Sequence, residues 1–110
     1  MAFLNRIRCV PSAAVAALAA VTLGAAAPAP SVIKIDNFTF NAAETAVPVG
    51  TTVTWVNNDD IPHTVVAVDK SFKSKVLDTD EKFSFTFTKA GTFDYFCSIH
   101  PHMTGKVIVK

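Results

Sequence analysis

The chain has 110 residues, with ten Lys and Arg against nine Asp and Glu, and a formal net charge of +1. This length accommodates one small domain. The near balance of charges excludes a nucleic-acid-binding function of the usual kind, because such a surface requires a strong basic excess.

The first 26 residues have the pattern of a secretory signal peptide. Arg6 and Arg8 form a short positive region before an alanine-rich apolar run over residues 13–27. This run is too short and too weakly apolar for a membrane span, which needs about 20 strongly apolar residues. The sequence therefore predicts cleavage after Ala26, export to the periplasm or elsewhere outside the cytoplasm, and no stable membrane insertion after processing.

Processing after Ala26 changes the composition of what remains. It leaves 84 of the 110 residues, which we divide into a short leader over 27–31 and one domain over 32–110. Loss of the two arginines leaves eight Lys against nine acidic residues, a net charge of −1. One of the two cysteines is also removed. Cys97 then has no intramolecular disulfide partner, so it is buried, reactive or a metal ligand.

Hydrophobic residues alternate with polar ones from Val32 onward, which predicts β-structure throughout the domain. Residues 57–60 read as a turn, and residues 69–81 receive no assignment. Strands are predicted over residues 32–40 with a bulge near Asp36-Asn37, and over 46–49, 51–57, 63–68, 82–88, 92–97 and 105–110. About seven short strands separated by turn residues predict an all-β protein, an antiparallel β-sandwich.

The strongest functional signal is a set of metal-binding side chains near the C-terminus. Cys97, His100 and Met103 follow one another at intervals of three residues, between two predicted strands. A loop of this length can turn three side chains toward one point, and His63, at the start of another strand, can reach the same point. One thiolate, two imidazoles and one thioether form the ligand set of a blue-copper site, with Met103 as the long axial ligand.

Other interpretations of these residues are weaker. A single buried cysteine is usually a small hydrophobic residue, and a methionine in a loop usually fills a gap. Calcium and magnesium require oxygen ligands, and zinc rarely accepts a thioether, although zinc remains the main competing metal. The presence of all these ligand types within seven residues favours a mononuclear copper site over coincidence.

The segment over residues 91–107, GTFDYFCSIHPHMTGKV, closely resembles the ligand loop of the amicyanins, which belong to the cupredoxin family. Residues 49–57 and 61–63 are similar to the upstream ligand region of the same family, and the resemblance covers most of residues 47–110. It implies a Greek-key β-sandwich that shuttles electrons outside the cytoplasm. It also implies that the four copper ligands are His63, Cys97, His100 and Met103.

Three positions depart from the amicyanin pattern. Ile99 stands where a proline is usual, His102 where an aromatic residue is usual, and Thr64 where an asparagine is frequent. The resemblance therefore predicts copper binding, whereas these departures bear on the redox potential and on the docking partner.

The interpretation is a monomeric one-electron carrier that is not an enzyme. It would dock redox protein partners through an apolar patch around His100, formed by Ile61, Pro62, Ile99 and Pro101. A multicopper oxidase or nitrite reductase needs further histidine ligands, but the chain has three histidines and the site uses two. The alternative that stays open is a periplasmic copper-binding carrier or storage protein.

Overall fold

A computed structural model describes residues 29–110, which form eight β-strands. The predicted signal peptide lies outside the described residues, and β1 begins at the last residue assigned to the leader. The strands are β1 (Ser31–Asp36), β2 (Thr39–Asn41), β3 (Glu44–Val47), β4 (Thr52–Asn57), β5 (Val66–Ala67), β6 (Lys82–Thr86), β7 (Gly91–Phe96) and β8 (Thr104–Val109). Over residues 29–110, no helix has the length and apolar character needed to cross a membrane.

The eight strands form two four-stranded sheets, with strand orders β2-β1-β4-β6 and β3-β8-β7-β5. The predicted all-β sandwich is confirmed. Its strands are not all antiparallel as predicted, because β1 pairs in parallel with β4, and β3 pairs in parallel with β8. Parallel partners require a long crossover connection. Here the chain leaves each sheet for the other one between the two paired strands.

The predicted first strand, over residues 32–40, is instead a hairpin. Strands β1 and β2 are antiparallel, with Asp36 opposite Thr39, so Asn37 and Phe38 form a two-residue turn. Both turn residues have positive φ values, of 50° and 58°. Two positive φ values are typical of type I′ hairpin turns, whose usual sequence signal is Asn-Gly. Here a phenylalanine stands at the second position in place of glycine, and the change of phase between Ile35 and Phe38 was interpreted as a bulge.

The core lies between the two sheets and is rich in aromatic rings. Trp55 on β4 is fully buried and packs against Phe72, Phe83 and Tyr95, with ring centroids 5.3–5.7 Å apart. The strand predicted over residues 82–88 is observed as β6, and its alternate residues face the core. Phe87 is part of the core, and Phe83 and Phe85 pack against it. The polar segment that received no assignment therefore contributes Phe72 to the core.

The predicted strand over residues 63–68 is much shorter, since β5 covers only Val66–Ala67. The residues before β5 pair instead with the unassigned segment, through isolated bridges between His63 and Leu77 and between Val66 and Lys73. The chain around His63 is thus held by a neighbouring irregular segment as well as by the sheet.

Candidate metal centre

The loop between β7 and β8 carries the three C-terminal donors, Cys97, His100 and Met103. Its base is closed by the pairing of Phe96 with Thr104 and by a hydrogen bond of 3.0 Å from the Cys97 amide to the Met103 carbonyl. Within the loop, the His100 amide donates to the Cys97 carbonyl at 3.2 Å, and the Met103 amide donates to the His100 carbonyl at 2.9 Å. The backbone therefore turns every three residues, which is also the spacing of the donors.

The structure brings His63 to this loop from the other end of the sequence. The donor atoms of His63, Cys97 and His100 all lie within 4.8 Å of one another. The Cys97 sulfur is 3.8 Å from Nδ1 of His63 and 3.6 Å from Nδ1 of His100. Three of the four predicted ligands thus converge on one point. The fourth, Met103, is buried and lines the same concavity as His100.

The four side chains differ in their access to solvent. His63 and Cys97 are fully buried and Met103 is buried, whereas His100 is half-buried. His100 is therefore the side chain of this set that lies nearest to solvent.

A buried carboxylate fixes the orientation of the His63 ring. Oδ2 of Asp59 lies 2.8 Å from Nε2 of His63 and also accepts the Phe38 amide at 3.2 Å, while Oδ1 accepts the Asp60 amide at 2.9 Å. The hydrogen bond with His63 is the main reason why the pKa of Asp59 is lowered to about 2. Because a carboxylate engages Nε2, Nδ1 is left facing the sulfur, as is usual for metal-binding histidines.

The hydrogen bonds around Cys97 favour its thiolate form. Burial raises the pKa of Cys97, but hydrogen bonds from the Thr64 and Ile99 amides and contacts with the imidazoles of His63 and His100 outweigh burial, so the pKa is lowered to about 6. The Thr64 amide nitrogen lies 3.3 Å from the sulfur. The thiolate is the form of cysteine that binds metals.

Two further side chains support the site, and the sequence analysis did not assign either of them a role of this kind. Oγ1 of Thr64 accepts the Ser98 amide and contacts the Ser98 hydroxyl, each at 2.7 Å, which ties the His63 segment to the ligand loop. The fully buried Asn57 amide group donates to the carbonyls of Ile61 and Leu77 at 2.9 Å and 2.8 Å. A buried asparagine and an aspartate four residues before the histidine are the signals that could have been used, but both were read as turn residues.

The donors fit copper better than other metals. The cluster contains one sulfur and two imidazole nitrogens and no carboxylate, which excludes metals that prefer oxygen ligands. A thioether in the same loop distinguishes the set from the Cys and His sites of zinc. The types of donor atom in this site therefore favour copper.

Comparison with known proteins gives the same result. The profile of the cupredoxin-like domain matches residues 9–109. The chain is 39% identical to amicyanin of Paracoccus denitrificans over 84 residues, covering 72% of this chain and 64% of that relative, less than two thirds of its length. It is 37% identical to amicyanin-alpha of Methylorubrum extorquens over 105 residues, covering 88% of each.

A solved structure shows the same architecture. The purple cupredoxin of Nitrosopumilus maritimus superposes with a TM-score of 0.71 at 33% sequence identity, covering 73% of this chain and 99% of that one. The family match and the donor set together establish that the cofactor of this centre is one type 1 copper ion. The chain belongs to the cupredoxin-like family, and amicyanins are among its relatives.

Proposed function

We propose that this chain is an exported, monomeric one-electron carrier whose copper ligands are His63, Cys97, His100 and Met103. The observation that supports this most strongly is the convergence of one thiol and two Nδ1 atoms within 4.8 Å in a buried setting. A bound copper ion would supply a one-electron Cu(II)/Cu(I) couple at this position.

The protein fixes the positions of the four ligand side chains. Asp59 fixes the His63 ring, Thr64 links the two donor segments, and the loop hydrogen bonds fix Cys97, His100 and Met103 relative to one another. Donors that keep their places need little rearrangement when the charge of the site changes. Supporting hydrogen bonds of this kind are what makes a metal site precise.

Electrons would enter and leave through the half-buried ring of His100, because the other donors are buried. Apolar side chains lie around it, with Ile99 45% exposed and Pro101 exposed. An apolar surface around one exposed ligand suits brief docking to a redox protein, with an interface of roughly 1,200 Å² or less. The partners are therefore redox proteins that present a complementary apolar surface.

The structure favours an electron carrier over a copper enzyme. Within residues 29–110, one cluster of His, Cys, Asp and Glu could hold a metal ion, and it is the cluster described above. A blue-copper enzyme of the oxidase or nitrite reductase type requires ligands for a second copper, and the third histidine, His102, is exposed and absent from this cluster.

Absorption spectroscopy and chemical redox cycling test the proposal. The copper-loaded protein should absorb near ~600 nm with a molar absorptivity on the order of thousands, as a strong Cu(II)–thiolate bond requires. The band should disappear on addition of ascorbate and return with ferricyanide, without loss of copper. A weak band, together with copper that passes readily to a chelator, would instead favour the alternative function, a protein that carries or stores copper.

A further inference from the structure

Phe38 occupies a backbone conformation that does not suit a phenylalanine. It is the second residue of the turn between β1 and β2, with φ at 58°, after Asn37 with φ at 50°. Asparagine tolerates the left-handed region, but a bulky side chain there is uncommon, and glycine is the usual second residue of such turns. Residues kept in unfavourable conformations are concentrated at functional sites.

The Phe38 ring lies against both candidate histidine ligands. Its centroid is 5.0 Å from that of His100 and 5.8 Å from that of His63, and its plane is nearly perpendicular to each. The turn is also fastened to the centre, because the Phe38 amide donates to Oδ2 of Asp59, the same oxygen that contacts His63. The position of the ring is thus coupled to that of the histidines.

The same ring forms one wall of a concavity of about 420 Å³ at the metal centre. The other lining residues all belong to the ligand loop, and they include His100 and Met103. Phe38 therefore closes the concavity on the side away from that loop, although 51% of its surface is exposed. An exposed apolar ring in a poor backbone conformation adds little to the core, so its contacts at the centre are the feature that requires explanation.

Building on the proposed function, we propose that Phe38 is a shield that keeps small coordinating anions and water away from the metal. On the side of the β1–β2 turn, an anion such as azide would have to pass the phenyl ring to reach the metal, because the ring lies against both histidines. By excluding such ligands, Phe38 restricts the centre to electron exchange through His100. Phe38 is thus a specificity-determining residue, and it does not itself bind the metal.

Azide titration of the copper-loaded full chain tests the shield. Phe38→Gly removes the ring and suits the turn, whereas Asn37→Gly relaxes the same turn and keeps the ring. Azide should perturb the visible band of Phe38→Gly with an apparent affinity at least about tenfold higher than for the native chain. The Asn37→Gly control should behave like the native chain. Water-proton relaxation by the Cu(II) form should rise in Phe38→Gly alone.

Equal azide affinities and equal proton relaxation in the native chain and in Phe38→Gly would overturn the proposal. So would a change of the same size in Asn37→Gly, because the turn and not the ring would then control access. If Phe38→Gly does not fold, Phe38→Asn replaces it, since asparagine also tolerates the left-handed region. The proposed function fails separately, if the native chain with copper has no intense band before any azide is added.

Discussion

The two segments that supply the candidate ligands are built in different ways. The ligand loop over residues 97–103 is shaped by its own backbone, which turns at the same interval of three residues that separates its donors. The segment over residues 57–64 instead depends on distant contacts: a backbone bridge joins His63 to Leu77, and the side chains of Asn57, Asp59 and Thr64 add hydrogen bonds. The difference teaches that the residue spacing within a short loop can predict how its ligands are arranged. The position of a ligand from a distant segment depends on polar contacts that residue spacing does not reveal.

The largest expected effect lies in the ligand loop. Cys97→Ser should abolish the intense visible band, because a hydroxyl group cannot replace the thiolate that the band requires. Absorption of the copper-loaded variant measures this. Ser98→Ala, one residue further along, is the matched control and should stay blue. A Cys97→Ser variant that keeps the band would refute the assignment of the centre.

In the upstream segment, the largest effect is expected at Asn57. Asn57→Ala removes the side-chain donor to the Ile61 carbonyl and one of the two donors to the Leu77 carbonyl, whose other donor is the His63 amide. The free energy of unfolding should therefore fall by roughly 1–3 kcal/mol. Urea denaturation of the metal-free protein measures this. Asn58→Ala is the matched control, because Asn58 is exposed, and it should change stability by less than about 0.5 kcal/mol. Equal losses in both variants would contradict the role given to Asn57.

Asp59 should make stability depend on pH in acid. Its pKa is lowered from the ordinary value of 3.8 to about 2 by His63, so the stabilisation is present above pH 3.8 and is lost as the pH falls through about 2. The metal-free native protein should therefore be more stable than Asp59→Asn at pH 5, and this difference should shrink between pH 4 and 2. Denaturation at each pH measures it, with Asp60→Asn as the control. A difference that does not change with pH would count against this interpretation.

The smallest expected effect concerns the link between the two segments. Thr64→Val removes the hydroxyl 3.8 Å from the Cys97 sulfur but keeps the amide at 3.3 Å. The copper-loaded variant should stay blue, and its reduction potential should fall by an amount on the order of tens of millivolts, since a hydrogen bond to the thiolate favours Cu(I). Voltammetry at fixed pH measures this. Thr64→Ser should restore the native value, and a potential that rises in Thr64→Val would contradict the account.

Sequence and structure agree where the relevant physics is local. The alternation of Phe83, Phe85 and Phe87 marked a half-buried strand, and the spacing of Cys97 and His100 marked a loop whose donors the structure places beside His63. In both cases the spacing of the residues matches the repeat of the local backbone, which is two residues in the strand and three in the loop.

The remaining features depend on contacts between distant segments. The turn at Phe38 lacks a glycine, so turn propensity does not reveal it, whereas the structure shows its ring against His63 and His100. Strand β5 is short because residues before it pair with the segment around Leu77. The sequence indicates only that Asp59 is a turn residue. Its role becomes apparent from the structure, in which Oδ2 of Asp59 lies 2.8 Å from Nε2 of His63.

The central claim is that His63, Cys97, His100 and Met103 hold one copper ion. X-ray absorption at the copper edge of the stoichiometrically loaded full chain tests it most directly. The account predicts one short copper–sulfur bond together with two imidazole nitrogens, and loss of the sulfur signal alone in Cys97→Ser. A spectrum of the native chain that contains only nitrogen and oxygen neighbours would contradict the claim.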